Sequence, residues 1–167
     1  MPLYQSILDE FGFDRGADER CARIVARLVC DAGNGIPLQR LSELIEGRVA
    51  VICGKAKSLA PHIERARGLG MLDGCVLIAA DGATSVLLSS GIVPHIIVSD
   101  LDGDMDDIIA ASEQGSVVVV HAHGDNIPLV SRYVPVLRGV VATTQSVPFD
   151  GVYNFGGFTD GDRCVFL

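Results

Sequence analysis

Five aspartates occur within eight positions, directly after a short apolar run. The run is Ile96–Val98, and the aspartates that follow it are Asp100, Asp102, Asp104, Asp106 and Asp107. The apolar run predicts a buried strand of a parallel sheet, and ligands bind at the carboxyl ends of such strands. Carboxylates crowded there repel one another unless a cation lies among them. Oxygen ligands with no thiol or imidazole nearby in sequence indicate Mg²⁺, which commonly also holds phosphates, so the run predicts phosphoryl chemistry.

Polar residues recur at the end of every predicted strand. The six segments are Gly54 with Ser58, Asp81-Gly82, Asp100–Asp104, His121–Asn126, Thr143–Gln145 and Gly156–Arg163. Any one of them could be an ordinary loop in which Asp or Ser caps a helix. Six in succession at one edge of one sheet are better explained by a binding cleft, and we interpret them so.

Three other interpretations of the aspartate run follow from its spacing. An EF-hand loop needs Gly at its sixth position and Glu at its twelfth; these are Met105 and Ala111, so this class is excluded. A haloacid-dehalogenase-type phosphatase ends its first strand in Asp-x-Asp-Gly-Thr, which Asp100–Gly103 resembles. However, Asp104 replaces the threonine and both lysines lie upstream. A solvated acidic loop stays open at this point.

The glycine turn at Gly54 leads to Ser58 and a predicted helix. It lacks the leading glycine of a P-loop, yet a helix N-terminus after a glycine turn suits a phosphate. Lys55 and Lys57 lie in the same turn and could help to neutralise a triphosphate.

Two histidines and a Gly-Gly pair offer groups for a second ligand. His121 and His123 alternate at a strand end, so both could face one side. Without a Cys or a third His at ligand spacing, we interpret them as neutral hydrogen-bonding groups rather than as zinc ligands. Asn154, Phe155 and Phe158 flank the glycine pair and could form the wall of a pocket for a flat ring, with core packing the equal alternative for Phe155.

The elements that position these residues change in kind near residue 46. Apolar residues at helical spacing predict helices over 17–32 and 37–45, which we interpret as a small N-terminal helical segment over residues 1–46. From residue 47, short apolar runs alternate with helical stretches. About six such strands predict one α/β domain over 47–167, a Rossmann-like parallel sheet with helices on both faces.

Composition narrows the function classes. The 167 residues carry a net charge of −8 and form no basic stripe, which argues against a nucleic-acid partner. The longest apolar runs have the length of strands, so we expect no membrane span. Five cysteines without a closely spaced pair, and no secretory signal, predict a reducing, cytoplasmic location. The sequence leaves the oligomeric state open, a homo-oligomer included.

Taken together, the motifs resemble the archaeal-type 6-hydroxymethyl-7,8-dihydropterin pyrophosphokinase family. The matching stretches are 80–84, 98–104, 121–126, 143–145 and 154–163. This family is itself similar to the catalytic domain of thiamine pyrophosphokinases. The acidic positions that match that domain are Asp81, Asp100, Asp102 and Asp125.

The resemblance implies Mg²⁺-dependent transfer of an intact pyrophosphoryl group from ATP to the pterin, which yields AMP and the pterin diphosphate. The implied catalytic residues, which would also hold the metal, are Asp81, Asp100, Asp102 and Asp125. The implied contacts to the nucleotide are Gly54, Ser58, Asp104, Asp160, Asp162 and Arg163. The implied contacts to the pterin are His123, Asn126, Thr144, Gln145, Asn154, Gly156, Gly157 and Phe158. The partners are then ATP and a pterin, in pterin or folate-type cofactor biosynthesis.

Departures from the family pattern leave alternatives. Phe158 stands where thiamine pyrophosphokinases carry Arg, which favours a pterin over thiamine as the acceptor. Lys57 stands where the archaeal pattern has Pro, so the contact at that turn is open. A non-catalytic nucleotide-binding module and a phosphatase are the remaining alternatives. A predicted helix begins at about Asp162, only a few residues before the last residue, Leu167, and family members continue past this point. We therefore expect that a C-terminal portion is missing from this chain.

Overall fold

The computed structural model describes residues 4, 6, 8, 10, 12 and 14–167, so part of the predicted segment 1–46 lies outside the described residues. Within the described ranges the helices are α1 (Arg15–Ala32), α2 (Leu38–Ile45), α3 (Leu59–Gly68), α4 (Ala83–Ser89), α5 (Met105–Glu113), α6 (Ile127–Tyr133) and α7 (Asp160–Phe166). The strands are β1 (Ala50–Cys53), β2 (Val76–Ala80), β3 (Ile96–Ser99), β4 (Val117–Ala122), β5 (Val140–Thr144) and β6 (Val152–Tyr153). Two short 3₁₀ helices, Gly124–Asn126 and Val134–Val136, flank α6.

The predicted elements are confirmed, with shifts of up to two residues at their ends. One such shift is in β5, which continues to Thr144, so Thr143 and Thr144 belong to a buried strand and not to a loop. Ser58 stands at the N-cap of α3 as predicted, but its side chain makes no capping hydrogen bond. The backbone there is already helical, with ψ −5°, which is not the extended conformation of a side-chain N-cap.

The strands lie in chain order, β1 to β6, and all neighbouring pairs are parallel. Each connection between neighbouring parallel strands is right-handed as a rule, so the helices α3, α4, α5 and α6 fall on one face. The larger core lies on that face. Its buried side chains include Val25, Ile63, Leu87, Ile108 and Val130.

The opposite face is covered by α2 and α7. Leu41 of α2 and Cys164 of α7 pack there against Ile78 and Val98. α7 follows β6 at one edge of the sheet, yet it packs against β1, β2 and β3. The chain therefore returns across this face and brings the first residue of α7, Asp160, to the carboxyl ends of β2 and β3.

The helix α1 packs into the larger core with the sheet and not apart from it. Cys21, Ala22 and Val25 are buried in that core, and α1 lies against β4, β5 and α6. No cysteine is in a disulfide, and Cys21, Cys53, Cys75 and Cys164 are buried. Across the described ranges, no helix combines the length and the apolar character needed to cross a bilayer.

Candidate active site

Three carboxylates form an acidic cluster at the carboxyl ends of β2 and β3. Asp81 and Asp100 each directly follow a strand, Asp160 begins α7, and one oxygen of each lies within 4.8 Å of the others. The Oδ1 atom of Asp100 is buried and has no hydrogen-bond partner within the described residues. Like charges this close are stabilised by a cation, and ligands that are all oxygen suit Mg²⁺. The residues present therefore fit a Mg²⁺ ion.

The backbone is strained at the same place. Among the described non-glycine residues, only Asp81 (φ 38°) and Leu101 (φ 71°) have positive φ. Ser99 holds both turns, since its Oγ donates to Asp81 Oδ1 at 2.6 Å and accepts from the Leu101 amide at 2.8 Å. Strain of this kind is retained where the surroundings over-determine the backbone, commonly at functional sites.

Gly103 allows the close approach between the two acidic loops. A Cβ at this position would lie 2.7 Å from Asp81 Oδ1, and nearer still to Oδ2. Any larger residue at position 103 would displace the Asp81 carboxylate, so the glycine is part of the geometry of the acidic cluster.

The charges of the acidic cluster act strongly on one another. Burial, and then repulsion by Asp100, raises the pKa of Asp160 to about 7, although Arg163 Nη1 lies 3.1 Å from its Oδ1. The hydrogen bond to His123 lowers the pKa of Asp100, and the same bond raises the pKa of His123. The two residues meet at 3.3 Å, between His123 Nε2 and Asp100 Oδ2. The contact with Asp100 thus favours the protonated form of His123 more than water would, and such a pairing was not part of the sequence prediction.

The other predicted acidic residues lie around the acidic cluster or cap helices. Asp102 is an exposed residue, yet partial desolvation of its carboxyl group, and then the negative charge of Asp100, raise its pKa. Asp125 is exposed and borders the cavity next to the acidic cluster. Asp104 is the N-cap of α5 and accepts from the Asp107 amide at 3.4 Å. Asp162 forms a capping box with Thr159 at the start of α7. The third member of the acidic cluster is therefore Asp160, which the sequence assigned to the nucleotide, rather than Asp102 or Asp125.

A cavity of about 320 Å³ adjoins the acidic cluster, and we call it the main cavity. It has the size of a small-molecule site. Besides Phe158 and Gln145, its lining includes Arg163 and His123 as basic groups. Its carboxylates are Asp14, Asp18, Asp100, Asp125 and Asp160. An anionic ligand entering so acidic a cavity needs a cation with it, which agrees with the fit of Mg²⁺.

Asp18 in α1 is a site residue that the sequence interpretation missed. It is 3% exposed and accepts from the Gly124 amide at 2.8 Å, from Gln145 Nε2 at 2.8 Å and from the Tyr4 hydroxyl at 2.7 Å. The signal was present, because an aspartate at position 18 falls on the helix face of Cys21 and Val25. A charge on an apolar helix face needs buried partners.

Asn126 joins α1 to the ends of two strands. Its Nδ2 donates to the carbonyls of Asp100, at 2.7 Å, and His121, at 2.8 Å. Its Oδ1 accepts from the His123 amide at 3.1 Å and from Cys21 Sγ at 3.3 Å. All four hydrogen-bonding positions of this amide are filled. The predicted contact of Asn126 with substrate would require one of these bonds to break.

The predicted substrate residues near α7 shape the loop that leads into that helix. Thr144 Oγ1 accepts from the Ser146 amide, and Asn154 donates to Ser146 O and accepts from the Gly156 amide. Gly157 has φ +86°, and a Cβ there would lie 2.7 Å from the backbone nitrogen of Arg163. Only glycine fits this approach without moving α7.

Gly54 and Ser58 are exposed beyond the end of β1, which neighbours β2, the strand that Asp81 follows. Their predicted contact with the nucleotide stays a prediction. The side chain of Lys55 reaches from this turn over Gly82, where a Cβ would lie 3.0 Å from Nζ. An ammonium group is therefore held close to the turn that carries Asp81.

Comparisons with known proteins identify the family of this chain. A family model described as 6-hydroxymethylpterin diphosphokinase, MptE-like, matches residues 32–167. A protein of Methanothermobacter thermautotrophicus is 47% identical over 165 residues, which cover 98% of this chain and 68% of that protein. Relatives from Methanocaldococcus jannaschii and Pyrococcus furiosus are 43% and 42% identical; each alignment covers 99% of this chain, and 70% and 69% of the relative. All three relatives bear the name 6-hydroxymethyl-7,8-dihydropterin pyrophosphokinase.

Proposed function

Because the chain belongs to the MptE-like family of 6-hydroxymethylpterin diphosphokinases, we propose that it transfers pyrophosphate from ATP to 6-hydroxymethyl-7,8-dihydropterin. The relatives of 42–47% identity carry this activity in their names. The observation that carries the proposal is the acidic cluster of Asp81, Asp100 and Asp160 beside a cavity of small-molecule size.

The reaction forms one bond and breaks one. The hydroxymethyl oxygen of the pterin attacks the β-phosphorus of ATP and gives up its proton. The bond from the β-phosphorus to the oxygen that bridges it to the α-phosphorus breaks, and AMP leaves with that oxygen. Such transfers depend on holding the two substrates in line and on stabilising negative charge on phosphate oxygens.

The acidic cluster supports Mg²⁺ as the metal of this reaction. Asp81, Asp100 and Asp160 would hold it, with Asp102 beside them. Bound there, Mg²⁺ would supply positive charge that offsets the phosphate oxygens of ATP. In its absence Asp160 carries a raised pKa, so the site favours a proton where a cation would otherwise sit.

The basic groups of the main cavity have distinct tasks in this proposal. The Arg163 guanidinium is held by Asp160 and borders the cavity, so it can hydrogen-bond a phosphate oxygen. His123 is paired with Asp100 on the same wall and stabilises that carboxylate as an anion. Lys55 approaches the Asp81 turn from outside and adds positive charge near the nucleotide.

The test is an assay of the purified chain with Mg-ATP and 6-hydroxymethyl-7,8-dihydropterin, in which AMP and the pterin diphosphate are separated and quantified. We expect equal amounts of the two products, and loss of both when EDTA removes the metal. Thiamine in place of the pterin distinguishes the acceptors, and we expect no AMP from it. Release of inorganic phosphate without AMP would support a phosphatase instead. ATP-dependent thermal stabilisation with no AMP would indicate a nucleotide-binding module.

A further inference from the structure

The helix α1 supplies one wall of the main cavity. Its N-cap Asp14, and Ala17 and Asp18 of its first turn, border that cavity. The matching family model begins at residue 32, where α1 ends, so this wall lies outside the family model. The alignments with the three relatives cover at least 98% of the chain and therefore include α1. The helix thus belongs to the site by its position.

The first turn of α1 is pressed against the segment that follows β4. A Cβ added to Gly124 would lie 2.5 Å from Ala17 Cβ, so this approach requires glycine. One turn later, Cys21 Sγ donates to Asn126 Oδ1 at 3.3 Å. The helix and the 3₁₀ turn after β4 therefore fix the position of one another.

Asp18 ties the segments after β4 and β5 to one point of α1. Its Oδ1 accepts from the Gly124 amide at 2.8 Å, and its Oδ2 accepts from Gln145 Nε2 at 2.8 Å. The Tyr4 hydroxyl donates to Oδ2 as well, at 2.7 Å. A charge on a residue that is only 3% exposed costs stability unless donors offset it. Two of the donors here, on Gly124 and Gln145, also border the main cavity.

We infer that Asp18 is a positioning residue for the pterin, because it holds Gly124 and Gln145 at the spacing that admits the ring. This inference rests on the proposed function. The segments that Asp18 holds follow β4 and β5, whereas Asp81 of the acidic cluster follows β2. We therefore expect Asp18 to act on the binding of the pterin and not on that of Mg-ATP.

The test replaces Asp18 by Asn in the whole chain and measures KM for both substrates. Asn has the shape of Asp, but an NH₂ group replaces one oxygen. The Gly124 amide only donates, so the remaining oxygen stays on it and the NH₂ group meets Gln145 and Tyr4. Gln145 must then turn or move away. We expect KM for the pterin to rise about tenfold or more and KM for ATP to stay within about twofold.

Two results would overturn the inference and leave the proposed function intact. They are an unchanged KM for the pterin, and an equal rise in both KM values. Titration of wild type and Asp18→Asn with the fluorescent 6-hydroxymethylpterin, without ATP, makes the same comparison without turnover, and equal Kd values would also overturn the inference. Absence of AMP from the wild-type chain would overturn the proposed function and the inference together.

Val25→Ala separates positioning from folding. Val25 is fully buried in the same helix and is not among the residues that border the main cavity. Its truncation should lower the melting temperature and leave both KM values within about twofold of the wild type. If it raised KM for the pterin as much as Asp18→Asn does, loss of stability would explain both variants and refute the inference.

A double-mutant cycle shows whether Asp18 acts through Gln145. Gln145→Ala alone should raise KM for the pterin. Because the two residues share one hydrogen bond, adding Asp18→Asn to that variant should raise KM by a smaller factor than it does in the wild type. Factors that simply multiply would contradict the positioning role.

Discussion

At the ends of β2 and β3 the functional side chains are the carboxylates of the acidic cluster, whereas the buried side chains at the ends of β4 and β5 are uncharged and joined by hydrogen bonds. At the first end, the backbone of Asp81 is strained and the Oδ1 atom of Asp100 is buried without a hydrogen-bond partner among the described residues. At the second end, His121 Nδ1, Thr143 and Asn126 bond to one another or to the backbone. The same sheet edge thus keeps a strained acidic half that suits a cation beside a half whose buried polar groups are linked by hydrogen bonds.

The largest expected effect comes from the acidic half. Asp100→Asn keeps the shape of the side chain but removes the charge of the carboxylate whose Oδ1 is buried and unpaired. We expect kcat/KM for pyrophosphoryl transfer to fall by about 10³-fold, while the far-UV circular dichroism spectrum is unchanged. Asp106→Asn, the same change on an exposed residue of α5, is the control and should stay within about twofold. Full activity of Asp100→Asn would remove that carboxylate from the proposed role.

The second largest effect is expected from Ser99, which holds the strained backbone at Asp81 and so connects it with metal binding. Ser99→Ala removes the donor to Asp81 and leaves the buried Leu101 amide without its acceptor, at a cost of about 2 kcal/mol in unfolding free energy. Because Asp81 loses its orientation, we also expect the Mg²⁺ concentration for half-maximal activity to rise by about 10-fold.

Ser116→Ala is the matched control for this variant. Its hydroxyl is buried and donates to Pro94 O at 2.6 Å, at the amino end of β4, the opposite end of the sheet from the acidic cluster. It should lose stability while keeping the wild-type Mg²⁺ dependence. If both serine variants shifted the Mg²⁺ dependence alike, the effect would be one of stability alone.

A smaller effect is expected in the pH dependence of stability without metal. The pKa of Asp160 is about 7 in the folded chain, against about 4 when unfolded. Between these values the folded state binds the extra proton, so this group costs stability as the pH rises from about 4 to 7, and the cost is constant above. Asp160→Asn should therefore melt above the wild type at pH 8, by about 3 °C, and the gain should shrink at pH 5.

Calorimetry in EDTA, repeated in Mg²⁺, checks this prediction. Mg²⁺ should stabilise the wild type more than Asp160→Asn, which narrows or reverses the difference. Asp150→Asn, an exposed change after β5, should follow the wild-type profile. If the rise in melting temperature of Asp160→Asn did not depend on pH, ionisation of Asp160 would not be what destabilises the folded wild type.

The smallest effect concerns Asp104, which the sequence assigned to the nucleotide and the structure places at a helix cap. Asp104→Ala should cost about 1 kcal/mol in urea unfolding, because the first turn of α5 loses its acceptor. Asp104→Ser retains a capping oxygen and should recover most of that loss, with kcat/KM close to wild type in both. A large loss of activity in Asp104→Ser would return the residue to the nucleotide site.

Residues that follow directly from strand patterns could be predicted from the sequence. Asp81 and Asp100 come immediately after buried apolar runs, and their proximity follows from the parallel sheet. Asp160 could not be assigned to the acidic cluster this way. Its position depends on the return of α7 across the far face of the sheet, which no local pattern encodes.

Buried polar residues were missed for a different reason. Ser99 ends an apolar strand and Asp18 lies in an amphipathic helix, so each looks like an ordinary variation in its element. Asn126 was recognised, but its partners are distant in sequence, from Cys21 to Asp100. The type of a polar residue can be read from one segment, while the groups that use up its hydrogen bonds belong to others.

The return of α7 also has a kinetic consequence. Asp81 and Asp160 are 79 positions apart, and closing so long a loop costs entropy, so we expect the acidic cluster to close late, after the sheet has formed. A divalent ion held by both would act as a clip on that loop, favouring the native state without taking part in early folding. If folding and unfolding rates are both measured with and without Mg²⁺, we expect Mg²⁺ to slow unfolding and to leave the folding rate unchanged.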